Sequence, residues 1–275
     1  MEKTTFAIDG HVHLYPVFDL TLAVEKSIDA LQKNATKKNG TVNSIPVWLL
    51  TERSDTDFFR QISEFPEQFT DKEKGIHFIP EKDQLTIRVE KNGQAVLYIF
   101  AGRQLVTREN LEVLSLISDL NIPDKDKPID QVIQLVKESG GVACLNWAPG
   151  KWFFSRGKVV ANLIESKTPD DFFIGETTLR HTLWRKPDLI KLAEKRGFQV
   201  IAGSDPLPFK GEENRIGSFG FVMNGEFDTT QPANSLRKIF KEDSSSISII
   251  GKRNNIITFA RRQYKIMAEK KKREN

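Results

Sequence analysis

The chain has 275 residues, 39% of them hydrophobic and 28% charged, which is long enough to bury a core and excludes a disordered, collagenous or coiled-coil protein. Its net charge of +4, from 41 basic and 37 acidic residues, is too small a surplus for a nucleic-acid binder, and Lys265, Lys270, Lys271, Lys272 and Arg273 in the tail outweigh it, reading as a solvated helix end. The single cysteine, Cys144, excludes an internal disulfide and a thiolate zinc cluster, so any metal must sit on His and carboxylate ligands. No apolar run reaches the ~18–20 residues of a membrane span, and residues 1–9 lack the apolar stretch of a secretory leader. These features predict a soluble, cytoplasmic protein with no membrane or nucleic-acid partner.

Strand-length apolar runs alternate with stretches of helical period, the pattern of an α/β protein with a mainly parallel sheet. Residues 6–8 predict a first strand, residues 19–31 a helix with Leu20, Val24, Ile28 and Leu31 on one face, and residues 45–50 a second strand. Between residues 76 and 106 the period falls to two, and Asn92-Gly93 supplies a hairpin turn, so an antiparallel insertion interrupts the repeat. Residues 113–117 resume strand character. Ile129, Val132, Ile133 and Val136 then form one helical stripe behind Pro128, ended by Gly140-Gly141. Strands at 142–145 and 172–174, helices at 158–165 and 187–196, and a final buried strand at 199–202 complete about seven parallel candidates. No repeat and no linker rich in Pro, Gly or Ser divides residues 1–275, which predicts a single domain.

Ile8-Asp9-Gly10-His11-Val12-His13-Leu14-Tyr15-Pro16 stands at the carboxyl end of the first strand. Side chains alternate along a strand, so imidazoles at i and i+2 point the same way and can reach one cation. Neutral imidazole suits zinc, iron or manganese, and barrel enzymes gather their sites at this end of the strands. Gly203-Ser204-Asp205-Pro206 follows the last apolar strand. Asp205 there either faces the first strand, as metal ligand or proton acceptor, or merely caps a turn.

These segments, together with Gly102-Arg103-Gln104 followed by Glu112-Val113-Leu114 and the strand over residues 141–145, resemble the PHP (polymerase and histidinol phosphatase) family in an order that covers nearly the whole chain. The resemblance implies a distorted (β/α)7 TIM-like barrel whose His and carboxylate ligands hold up to three divalent metals for phosphoester hydrolysis. The first and last segments are similar to amidohydrolases as well. His11, His13 and Asp205 match ligand positions of the family, but Gln104 stands where a Glu binds, Glu112 and Asn146 where histidines do, and Leu207 in place of the His of the terminal Asp-X-His. Amide oxygens replace carboxylate or imidazole poorly on a transition metal. The expectation is therefore one or two Zn, Mn or Fe ions on His11, His13, Asp205 and Glu112 or Glu176, or a barrel that has lost its metal.

Glu176, behind another strand, reads as ligand, base or plain loop residue, His181 as ligand or structural residue, and His77 as structural. The stretch from Asn146 to Lys158 combines Trp147 and Trp152 with Lys151, Arg156 and Lys158. Lys151 and Arg156 suit a phosphate or carboxylate held over a metal site; the same stretch also reads as a rim loop or, through Trp147, Trp152, Phe153 and Phe154, as a protein interface. Arg53 and Arg103 at other strand ends add positive charge. The expected activity is a metal-dependent phosphoesterase acting on a small anionic molecule, with Asp205 and Glu176 as catalytic groups and Lys151, Arg156, Asn146 and Arg103 on the substrate. A non-catalytic binding barrel and an amidohydrolase acting on a C–N bond are the alternatives.

Overall fold

The computed structural model describes residues 3–40 and 43–274, and the side chains of residues 269–274, where the basic tail falls, lie outside the described ones. The chain forms strands β1 (Thr4–Val12), β2 (Ser44–Leu50), β3 (Ile76–Pro80), β4 (Thr86–Lys91), β5 (Gln94–Phe100), β6 (Gly102–Val106), β7 (Glu112–Leu116), β8 (Val142–Asn146), β9 (Phe173–Thr177), β10 (Val200–Gly203), β11 (Phe219–Gly225) and β12 (Ser248–Gly251). Helices α1 (Leu20–Asn39), α2 (Phe58–Glu64), α3 (Ile129–Glu138), α4 (Phe154–Ser166), α5 (Asp188–Lys195), α6 (Pro232–Glu242) and α7 (Ile256–Glu274) lie between and after them. None of the described helices is long and apolar enough to cross a membrane.

The mixed α/β class holds, with two sheets in place of one continuous ladder. The first runs β12-β11-β1-β2-β5-β4-β3 and the second β10-β9-β8-β7-β6, and no closed barrel forms among the described residues. The sheets are not mainly parallel: β1–β2, β2–β5, β8–β9 and β9–β10 pair parallel, and six other ladders pair antiparallel. One source is the turn at residues 107–110, where Asn110 sits at φ 60° and donates to Thr107 O. It folds β6 and β7 into a hairpin, so the insertion expected to end at residue 106 gives its last strand to the second sheet. The other source is β11, which lies antiparallel against β1 and displaces β10 as the last strand. Gly220 permits that approach, since a Cβ there would meet Ile8 O at 2.1 Å.

Local rules account for most element ends. Asp19 caps α1 by accepting from Leu22 N at 2.9 Å, and Gly40 at φ 71° stops it. The helix runs past residue 31 because the polar stretch after it carries no apolar marker but continues to the glycine. The stripe Ile129, Val132, Ile133 and Val136 is fully buried beneath α3, each side chain contributing about 1.5–3 kcal/mol of transfer free energy. α4 begins at Phe154, four residues before its expected start, because Gly157 and Ser155 weaken the helical pattern of its first turn.

A layer of Phe6, Ile8, Val47, Leu49, Phe100, Leu114, Leu116, Ile201 and Phe221 fills the space where the sheets face each other. The sheets also touch through their backbones. Glu52 N donates to Gly102 O at 3.0 Å and Gln104 N to Glu52 O at 2.8 Å, while Asp205 N donates to His11 O at 2.9 Å. The last bond joins the two segments that carry the strongest sequence signals.

Candidate metal centre

His11 near the end of β1 and His13 just beyond it point the same way, and their Nε2 atoms lie 3.0 Å apart. Asp205 Oδ1 is 3.7 Å from His11 Nε2 and 3.6 Å from His13 Nε2. All three residues are buried, and they form the one group of three or more His, Cys, Asp or Glu donors in mutual reach among the described residues. A triangle with edges of 3.0, 3.6 and 3.7 Å has corners about 2.0 Å from its circumcentre, the length of a zinc–imidazole or zinc–carboxylate bond, ~2.0–2.2 Å. The donor set therefore fits a divalent cation.

Burial pushes the His11 imidazole down to about 4, partly offset by Glu112, Asn146 and Gln104. Burial, with the neighbouring His11, pushes His13 down to about 3, and Asp205 opposes the shift. Both rings are neutral at pH 7, so their contacts with Asp205 are not ion pairs and their ring nitrogens are available as ligands. Burial raises the Asp205 carboxyl, while His13, Arg262 and the Thr177 hydroxyl hold it back. Tyr15, its ring centroid 5.9 Å from that of His13, is also raised by burial.

Asp9 fixes the geometry from beneath. Its Oδ1 accepts from His11 N at 3.2 Å and Ser204 N at 2.8 Å, and its Oδ2 from Gly217 N at 2.8 Å. One carboxylate thus ties β1 to the loop after β10 and to the turn before β11, and burial raises its own pKa to about 6 despite those bonds. Gly203 brings β10 against β1, since a Cβ there would stand 2.3 Å from His11 N.

A second support comes from the C-terminal helix. Arg262 of α7 donates from Nη2 to Asp205 O at 2.7 Å and from Nη1 to Thr178 Oγ1 at 2.7 Å, and its Nη2 lies 2.9 Å from Glu212 Oε2. Thr178 Oγ1 in turn donates to Ser204 O at 2.6 Å. Asp205 is held at φ 50°, a left-handed conformation that a non-glycine residue keeps only when its surroundings impose it.

The remaining candidates divide. Glu112 stands outside the triad: its Oε2 accepts from Asn146 Nδ2 at 3.2 Å and its Oε1 lies 3.3 Å from Lys151 Nζ. Asn146 and His11 line one small internal space with Glu176, and both Asn146 Oδ1 and His11 Nδ1 are buried without a hydrogen-bond partner. Glu176 is taken up by Arg180, whose Nε and Nη2 donate to Oε1 at 3.0 and 2.5 Å, with Arg253 Nε at 3.5 Å. These three contacts all fall on Oε1, and Glu176 is not part of the group formed by His11, His13 and Asp205. Arg103 is bound to Thr56 O and Asp57 and lines a cavity of about 610 Å³ that shares no residue with the triad. Arg156 is half-buried and donates to Gly150 O at 2.8 Å. Arg53 pairs with Asp55 at 3.1 Å, yet its charge still reaches His13. His181 packs against Trp184 and Phe259 and is not part of the triad, and His77 is exposed on β3.

Sequence reasoning missed Arg180, Arg253, Arg262, Thr178 and Glu212. Arginine is rarely buried without a partner, and Arg262 sits in a helix whose composition reads as a solvated basic tail. Its spacing of three from Phe259, which also faces inward onto His181, is the only available signal.

No protein-family model matches the chain, and no curated protein matches it in sequence. Among solved structures it is similar to PsfC from Pseudomonas syringae PB-5123, with a TM-score of 0.56 and 15% identity over 92% of this chain and 93% of that one. A two-domain protein from Bacteroides vulgatus ATCC 8482, described as containing a predicted PHP-like metal-dependent phosphoesterase, aligns with a TM-score of 0.47 and 12% identity over 91% of this chain and 66% of that one. The first likeness shows that the two chains share a fold.

Proposed function

We propose that this protein is a PHP-like metal-dependent phosphoesterase acting on a small anionic substrate, built as one domain on an opened form of the seven-stranded barrel. The observation that carries the reading is the buried, neutral His11 and His13 pair with Asp205 at cation-binding separations. A divalent cation held by these three residues supplies Lewis-acid polarisation of a phosphoester and activation of water. The chain's own groups do the rest. Asn146 lies against His11, where its amide oxygen can accept from the imidazole Nδ1–H and fix the tautomer that presents Nε2. Asp205, the one carboxylate in the triad, accepts a proton from the attacking water. Lys151, kept near by Glu112, draws in the anionic group.

One observation favours a second reading, a barrel that binds without turnover: Glu112 and Glu176 are engaged by Lys151 and by Arg180, which leaves a single three-residue cation site. Metal analysis of protein purified without chelator, beside a His11→Ala/His13→Ala variant, tests the centre. About one equivalent in the wild type and none in the variant is expected, and an absence of metal in both refutes the reading. Assays with manganese or zinc on panels of phosphoesters and amides then separate the activities. Turnover of amides alone assigns the C–N hydrolase, and no turnover by metal-loaded protein assigns the binding barrel.

A further inference from the structure

The loop between β8 and α4 divides its aromatic residues between two tasks. Trp147 and Trp152 are buried: Trp152 Nε1 donates to Asn146 O at 3.0 Å, and Trp147 meets Trp184 edge-on at 5.4 Å. Phe153 and Phe154 are 48% and 92% exposed. Lys151, immediately before the anchoring Trp152, turns inward to Glu112. The loop therefore places an ammonium group beside the candidate centre and two phenyl rings at the surface just beyond it.

Phe154 is also strained, with φ at 56° in the left-handed region. The anchors that hold it are Trp152 on one side and Arg156, donating to Gly150 O, on the other. Leu183, 72% exposed, sits on the loop between β9 and α5, which touches this one through Trp147 and Trp184. These three apolar side chains follow the ends of β8 and β9 that bear Asn146 and Thr178, and the Phe153 and Phe154 rings meet edge-on at 6.5 Å. Among the described residues Arg156 forms no ion pair, so positive charge lies at the base of these apolar side chains.

We propose that the substrate is amphiphilic: its anionic group sits by Lys151, and its organic part, an aryl or medium-length alkyl group, lies on Phe153, Phe154 and Leu183. The proposal rests on the phosphoesterase reading for the position of the anion. Apolar contact is what exposed aromatic side chains offer a ligand, and the adjacent ammonium supplies the complement to its charged end.

The test is calorimetric titration of zinc-loaded protein with n-octylphosphonate and methylphosphonate, neither of which can be hydrolysed at the P–C bond by this chemistry. The octyl compound should bind at least tenfold more tightly. In a Phe153→Ser/Phe154→Ser variant that advantage should fall below threefold while methylphosphonate affinity stays within twofold, and Leu183→Ser should give a smaller loss in the same direction. Equal affinity of the wild type for the two phosphonates overturns the amphiphilic substrate and leaves the phosphoesterase reading intact. Binding of neither phosphonate overturns both. If the Phe variants keep the octyl preference but lose self-association in sedimentation, or lose binding to phosphatidylserine vesicles, the lip serves a second copy or a lipid surface and the proposal falls.

Discussion

Replacing Arg262 by Ala removes three contacts made by a side chain that is only 3% exposed: those to Asp205 O, Thr178 Oγ1 and Glu212. Breaking a buried ion pair costs about 3–5 kcal/mol when the partner charge is stranded. Glu212 is not wholly stranded, because Arg215 Nε remains 3.0 Å from its Oε1 and Leu207 N still donates to Oε2. The lower end, about 3 kcal/mol, follows. For a chain of this length each kcal/mol moves the melting temperature by about 2–4 °C, so Arg262→Ala should melt about 6–12 °C lower in chelator. The Asp205 backbone then loses the donor that holds its left-handed conformation, and metal affinity should fall about 10–100-fold, as for loss of other groups that orient a ligand. Thermal denaturation and competition with a chromophoric zinc chelator measure the two effects. Arg262→Lys keeps the charge without the fork and should fall between. A melting temperature within 1 °C of wild type together with zinc affinity within twofold would refute the argument that α7 sets the position of Asp205.

The folded pKa values of about 4 for His11 and about 3 for His13 lie below the unfolded value, so the unfolded chain binds more protons as pH falls. The stability tied to their neutral forms is present above about 6.5 and is lost as pH drops toward 4 and below, at up to ~1.4 kcal/mol per pH unit for each ring. Asp9, raised to about 6, acts in the opposite sense, its contribution being lost as pH rises from about 4 to 6. In metal-free protein, denaturant melts of wild type and a His11→Asn/His13→Asn variant should thus diverge below pH 6.5 by the histidine effect alone, since Asp9 is common to both; parallel curves contradict the shifts. Gly203→Ala pushes a methyl group into the backbone of His11. Overpacking costs about 1–3 kcal/mol, and displacing one corner of the triad should abolish stoichiometric zinc while circular dichroism still reports a folded protein. Retention of a full equivalent of zinc contradicts the packing argument.

The local signals in the sequence survived folding where they depended on neighbours in the chain. The α3 stripe, the Asn92-Gly93 hairpin and the shared direction of His11 and His13 at the end of β1 all follow from periods of 3.6 and 2 and from the turn chemistry of Asn-Gly. Strand direction was less legible. β7 has the apolar content of any buried strand, and nothing in that content distinguishes parallel from antiparallel neighbours; the turn before it decides. β11 escaped because Gly220, needed for close approach to β1, interrupts the apolar run.

Residue type and spacing determined that two imidazoles share a direction and that an aspartate follows a late buried strand. Only the tertiary structure decided that Asp205 completes their triangle, that Glu112 answers to Lys151 and Glu176 to Arg180, and that an arginine in the C-terminal helix holds the aspartate in place. The physical reason is that a side chain's partner is set by which backbones approach. That approach is fixed here by glycines and by one buried carboxylate, Asp9, joining segments about 200 residues apart.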